Sequence, residues 1–400
     1  MSASPPSEAA GPPPPRLSPP IWLMGLAAFT VGCGMRVLDP LLPMLAREFG
    51  VGLGAVAPLI AGFALAYGLG QLFAGPIGDG FGKLRVAAVA MALYAATLLG
   101  ATLAPDLGAL LAFRIASGLA AAATIPLFMA HIGDRVPYAQ RQAVIGRFLT
   151  GMVMANLLAG PISGIMAELA GWRASFLVLG SMGTVIALVF MVGLGPGWRE
   201  GGGGAASLGL GGFLRLFGRP AGRRLMLAAA ADGLLLFGGA IPFIASSLIE
   251  RFSLSAAEAG IITAGFGLGA ILYTRRASWL VARLGERGMV RWGGAGLCLC
   301  LAVIGLAPAW WVVVPAQALL GLVFFMLHGV LQARATEALP EARGTAVAGF
   351  AMSLFLGQAL GAVIFGTIIG GFGFAPGFLM AATGILVLAY AISARVIPRH

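Results

Sequence analysis

Long apolar runs separated by short polar, glycine-rich turns occupy the chain from residue 21 onward. A helix needs about 20 apolar residues to cross a bilayer. Twelve runs meet that length, near 21–45, 52–74, 86–104, 108–131, 143–167, 174–195, 225–248, 257–277, 289–307, 312–333, 345–369 and 377–395. Gly and Pro recur inside them, as membrane helices tolerate. The pattern predicts an all-α membrane protein of twelve transmembrane helices. A polar, glycine-rich stretch divides it into an N-terminal half, 21–195, a central cytoplasmic linker, 196–224, and a C-terminal half, 225–395. Residues 1–20, rich in Pro, Ser and Ala, read as a disordered cytoplasmic segment, and 396–400 as a cytoplasmic tail. The first apolar run is too long and glycine-interrupted for a cleaved leader.

Composition agrees with this reading. Of 400 residues, 59% are hydrophobic and 10% charged, against about 25% charged in a soluble domain. A net charge of +11 would suggest nucleic acid in a soluble protein. Here the basic residues fall in loops instead, and no nucleic-acid partner is expected. With the N-terminus inside, 20 of the 25 basic residues lie on the cytoplasmic side, 3 outside, and Arg36 and Arg114 within spans. That bias predicts both termini cytoplasmic, and the chain is read as lying in a bacterial-type inner membrane. Cys33, Cys298 and Cys300 sit in apolar runs without metal or disulfide spacing. No phosphate-binding glycine loop or reactive cluster appears, so neither a cofactor, a metal nor an enzyme activity is expected.

The halves can be laid on one another. At an offset of 203, Phe49 meets Phe252, Ala61–Leu65 meets Ala264–Leu268, Gly82 meets Gly285, Gly118 meets Gly321 and Pro137 meets Pro340. One residue slips, after which Arg141 meets Arg343 and Phe176 meets Phe378. Two parallel six-span repeats predict pseudo-symmetric halves with a substrate site between them near the midplane.

Several segments carry more specific signals. Gly75-Pro-Ile-Gly-Asp79-Gly-Phe-Gly82-Lys83-Leu-Arg85 joins the second and third runs, and a charged turn of this kind must lie at a membrane face. It resembles the loop 2–3 signature of the major facilitator superfamily, Gly-x-x-x-Asp-Arg-x-Gly-Arg/Lys, with Gly80 in place of the Arg. Arg114-Ile-Ala-Ser117-Gly118 resembles the family's fourth-span Arg-x-x-Gln-Gly, with Ser117 for Gln. Gly151, Gly160-Pro161 and Gly164 resemble its fifth-span antiporter signature, although Asn156 and Ile165 replace two of the glycines. Gly171-Trp172-Arg173 resembles its segment before the sixth span and reads as an interfacial anchor. Pro40 and Pro43, closing the first run, are similar to the twelve-span drug/proton antiporter branch.

This resemblance implies alternating access by rocking of the halves, export rather than uptake, and a role for Arg114 in proton coupling. It implies that Asp79 acts on the entry of span eleven, near Gly344-Thr345. It also implies that span five packs on span eight, whose Gly265, Gly267 and Gly269 offer a small-residue strip. For Arg114, snorkelling near a helix end is the competing reading.

Intramembrane charges are functional candidates by default. Arg36 and Asp39, three apart, share a helix face and are expected to pair, either to load a proton or as a static brace. Asp232 lies inside the seventh run with no basic neighbour within a turn. His328 titrates near neutrality when unperturbed, though a lone histidine is more often merely hydrogen-bonded; His131 is assigned to a loop. The chain therefore reads as a monomeric, proton-coupled exporter of small hydrophobic or amphipathic molecules. A sugar or other metabolite transporter of the same fold is the alternative. A non-transporting membrane sensor is more remote.

Overall fold

The computed structural model describes residues 19–194 and 210–397. All its regular elements are helical. Ten stretches among the described residues are long and apolar enough to cross a membrane; counting Ala256–Leu306 as two and adding the shorter Ile21–Arg36 gives the expected twelve. Span one is Ile21–Arg36 continued by Leu42–Glu48. Spans two and three are Leu53–Phe81 and Lys83–Ala101, and span four is Leu107–Arg135. Spans five and six are Tyr138–Ala170 and Trp172–Leu194. Span seven runs through Pro220–Asp232, Gly233–Ala240 and Ile241–Phe252. Spans eight and nine share the continuous stretch Ala256–Leu306, and span ten is Trp310–Ala335. Spans eleven and twelve are Arg343–Phe372 and Phe374–Arg395.

The departures from the predicted boundaries have local causes. Span one breaks over residues 37–41, where Pro40 has no N–H to give the helix, and resumes with Pro43 in its new first turn. Spans eight and nine have no open loop between them. The chain stays helical except at Gly285, whose φ of 61° turns it. Residues 1–18 and 195–209 lie outside the described residues, so the expected disordered N-terminus and most of the linker do too. The rest of the predicted linker is structured. Leu210–Gly218 forms a helix, and span seven opens at Pro220 rather than at 225. The arginines at 223 and 224, read as loop, occupy its first turns. Pro at that opening position costs nothing, because the N–H it lacks would be unsatisfied anyway.

The duplication is visible in the backbone. Residues with positive φ outside the masked segments are Gly50, Gly82 and Gly171 in the first half, and Ser253, Gly285 and Gly373 in the second. Each pair is offset by 203 or 202, matching the sequence register. Packing repeats as well: a Cβ on Gly118 would strike the Phe63 backbone, and one on Gly321 would strike the Phe266 backbone. Both glycines let the fourth span of a half lie against its second.

Two seams join the halves: span five on span eight, and span two on span eleven. At one face, called here the clamped face, they bring backbone against backbone. A Cβ on Gly54 would fall 2.9 Å from the carbonyl oxygen of Gly366, and one on Gly160 would fall 2.8 Å from that of Gly260. The opposite face, bearing Lys83 and Arg135, is called here the basic face, and there a Cβ on Gly75, Gly146 or Gly344 would meet nothing within 4 Å.

Candidate functional site

The charged candidates fall into two buried groups, one in each half. In the first, the Arg36 guanidinium pairs with the Asp39 carboxylate at 2.9 Å. Arg114 enters from span four and is 1% exposed. Its Nη1 donates to the carbonyl of Gly34 at 3.0 Å and its Nε to that of Leu59 at 3.3 Å, while its plane covers the Phe63 ring at 4.3 Å. This removes the snorkelling reading: Arg114 reaches inward and ties spans one, two and four. Its charge also acts on Asp39. Nη2 of Arg114 is buried without a partner among the described residues.

In the second half, Asp232 and His328 form a pair, Oδ2 to Nδ1 at 2.7 Å. Asp232 is 0% exposed and its Oδ1 has no partner among the described residues. The imidazole is enclosed by Phe237, Phe324 and Phe350, with ring centroids 5.5, 5.0 and 5.8 Å away. Sequence reasoning named both residues but did not join them, since they lie 96 positions apart. Directly after Asp232 the helix widens into π geometry over Gly233–Ala240, a form that recurs at functional sites. Glycine makes this possible. A Cβ on Gly233 or Gly238 would strike the backbone of span eleven at Leu354 or Gln358, so spans seven and eleven are in backbone contact.

The two groups are linked through aromatic rings. Arg36 lies over the Phe266 ring at 5.3 Å, in the other half; Phe266 contacts Phe324 at 5.3 Å, and Phe324 stacks on His328. Across the other seam Tyr67 meets Phe355 at 4.5 Å. The contact between the halves is thus aromatic there, with one buried polar pair on each side.

The remaining candidates sit elsewhere. Asp79 is 59% exposed and faces Lys83 at 3.7 Å, and Lys83 in turn binds Asp134 at 2.5 Å. The ion-pair partner of Asp79 thus lies within its own half. Gly82 takes the positive φ of its turn, Gly75 meets open space, and Arg85 lies in the first turn of span three. His131, assigned to a loop, is buried within span four.

The fifth-span glycines serve two interfaces. Gly151 abuts the backbone of span one at Gly25, inside its own half. Gly160 abuts Gly260 and Thr263, and Gly164 abuts Ala256, across the seam. The expected strip on span eight is corrected accordingly. Gly267 does face span five, at Leu157, but Gly265 and Gly269 face span ten. The missed partner is Gly260.

Polar contacts fasten the clamped face. Glu168, at the end of span five, accepts a hydrogen bond from the N–H of Ala257 at 2.7 Å, in the first turn of span eight. Arg47 and Glu250 face one another across a cleft also lined by Leu53 and Ile369. The Gly-Trp-Arg anchor closes on Glu48, to which Trp172 donates at 2.7 Å and Arg173 at 2.6 Å. A carboxylate at a helix N-terminus is worth about 0.3–1 kcal/mol. Glu168→Gln is therefore expected to raise the population open at this face about two- to fivefold. Spin labels at the exposed positions Leu103 and Phe372 would read it as growth of a longer distance. An unchanged distance distribution would deny Glu168 this role.

This chain belongs to the Major Facilitator Superfamily, whose family model matches residues 24–240 and 225–400. It is 27% identical to YceJ of Bacillus subtilis (strain 168), an uncharacterized MFS-type transporter, over 354 residues, 86% of this chain and 88% of that one. Among solved structures, a bacterial homologue of the human lysosomal transporter Spinster, inward-facing and occupied, superimposes with a TM-score of 0.76. It shares 19% identity, covering 94% of this chain and 95% of that one. A D-xylose–proton symporter superimposes with a TM-score of 0.74 at 15% identity, covering 94% and 97%. The protein is an integral membrane transporter working by alternating access, not an enzyme.

Proposed function

We propose that this transporter is a proton-coupled exporter of small hydrophobic or amphipathic molecules, acting as a monomer in a bacterial inner membrane with its basic face toward the cytoplasm. The observation that carries the proposal is the Asp232–His328 pair. A carboxylate with no exposure, one oxygen unpartnered, set against an imidazole inside a span is an expensive arrangement for packing alone. A carboxyl set against an imidazole is chemistry suited to proton exchange, and rocking of the halves would change its access to water. The partly exposed rings of Phe237 and Phe355 favour apolar cargo. The direction rests on the fifth-span motif, whose Gly160 and Gly164 abut span eight of the other half. The orientation rests on the bias of basic residues toward one face.

A second reading, transport of a sugar or other polar metabolite, is favoured by the buried side-chain oxygens of Gln317 and Gln358, which lack partners among the described residues and suit hydroxyl donors. Everted membrane vesicles with an imposed pH gradient separate the two. Export predicts proton release from the vesicle lumen when a lipophilic compound from a panel is added. Release on addition of sugars or nucleosides, with none for lipophilic compounds, would replace the first reading by the second.

A further inference from the structure

Span eight carries an exposed stripe that belongs to neither seam. Its glycines at 260 and 267 face span five, and those at 265 and 269 face span ten. Between these faces lie Ile261, Leu268 and Leu272, which are 57%, 49% and 43% exposed. At 3.6 residues per turn, the same stripe continues through Arg275 and Arg276, Trp279 and Arg283. Trp279 is 52% exposed, and the Arg283 guanidinium lies over its ring at 5.1 Å. Arg275 and Arg276 are exposed and make no ion pair or hydrogen bond among the described residues. The lipid-facing side of this helix thus passes from leucine to arginine and tryptophan as it nears the basic face.

The charge at 275 and 276 is not inherited from the duplication, whereas Arg283 stands at the register of Gly80, where the loop 2–3 signature has an Arg. At the register of the repeat, positions 275, 276, 279 and 283 correspond to Leu72, Phe73, Pro76 and Gly80, none of them charged. Nor do these arginines stand in the loop. Arg276 precedes Arg283 by two turns, about 10 Å along the axis. Its long side chain must reach up along lipid to meet water or head groups. Tryptophan prefers the same interfacial depth, and guanidinium groups bind phosphate through paired N–H donors.

We propose that Arg275, Arg276 and Arg283, with Trp279 as their interfacial platform, form a binding site for the head group of an anionic phospholipid in the basic-face leaflet. The three cations meet one phosphodiester from the acyl-chain side and from the water side. An uncharged or zwitterionic lipid satisfies them less well, because its own ammonium competes for the phosphate. The site rests on the membrane-spanning fold and not on the cargo, direction or coupling proposed above.

Trp279 is its own reporter. The full-length protein would be reconstituted in phosphatidylcholine containing a small fraction of brominated phosphatidylglycerol or, separately, brominated phosphatidylcholine. The Trp279 signal is the difference between the wild type and W279F. Severalfold stronger quenching by the brominated phosphatidylglycerol is expected, lost in R275Q/R276Q/R283Q and largely kept in R275K/R276K/R283K. Equal quenching by both lipids in the wild type would overturn the proposal, as would an excess that survives the glutamine variant. Loss of the excess on adding millimolar inorganic phosphate would assign the cluster to a soluble anion and overturn it as well.

Discussion

Replacing Gly160 by leucine is expected to abolish transport while the protein still reaches the membrane. At this position a Cβ would lie 2.8 Å from both the Gly260 carbonyl oxygen and the Thr263 hydroxyl, and a Cβ on Gly260 would strike the Gly160 backbone in return. Turning the Thr263 side chain away would not relieve the clash, because the Gly260 backbone remains in place. Leucine adds three more carbons beyond that Cβ and must push spans five and eight apart. In lipid, helix association comes largely from such close packing, not from a hydrophobic gain. Overpacking of this kind costs about 1–3 kcal/mol in soluble cores. Here the cost falls on the clamped conformation alone, because the two spans belong to different halves. Failure to close should show as proton leak through vesicles together with lost accumulation. Gly160→Ala should fall between. Gly193→Leu, where a Cβ meets open space, and Gly203→Leu in the linker should behave as wild type. Wild-type transport by Gly160→Leu would strip the antiporter-motif reading of its physical basis and leave the direction of transport open.

Much of this architecture is legible in the sequence because lipid imposes one-dimensional rules. Span length follows from bilayer thickness, and the repeat follows from an offset that includes Gly82 and Gly285, both of which take positive φ. The Arg36–Asp39 pair is legible because three residues on a helix bring two side chains to one face. The linker helix Leu210–Gly218 is hidden by its glycines and by the arginines around it, which imitate a loop. The π segment after Asp232 is hidden because its glycines look like those of any tightly packed span. The pairing of Asp232 with His328 needs the three-dimensional neighbourhood of spans seven and ten, which no local spacing encodes. The partner of Gly160 is hidden for a simpler reason. Gly260, Gly265, Gly267 and Gly269 are equally small, and only the rotation of span eight decides which of them face span five.

Asp232→Asn is expected to eliminate gradient-driven transport while leaving substrate exchange without net proton movement intact. The amide keeps the size of the carboxyl and a hydrogen-bonding oxygen for His328, so the aromatic enclosure of Phe237, Phe324 and Phe350 need not rearrange. It removes the carboxyl of the pair, and with it the proton-binding site proposed for span seven. Asp39→Asn should also stop gradient-driven transport, but for a mixed reason. It leaves Arg36 and Arg114 together in span interiors without a carboxylate. Removing one partner of a buried pair costs about 3–5 kcal/mol, so the variant is expected to lose stability as well as coupling. The double variant Arg36→Gln with Asp39→Asn restores the charge balance and should recover the stability without the coupling. Melting temperature and substrate exchange together distinguish the two effects, which activity alone would merge. Coupled transport at wild-type rate by both Asp232→Asn and the double variant would show that neither acid carries the proton, and proton coupling through the spans would have to be abandoned.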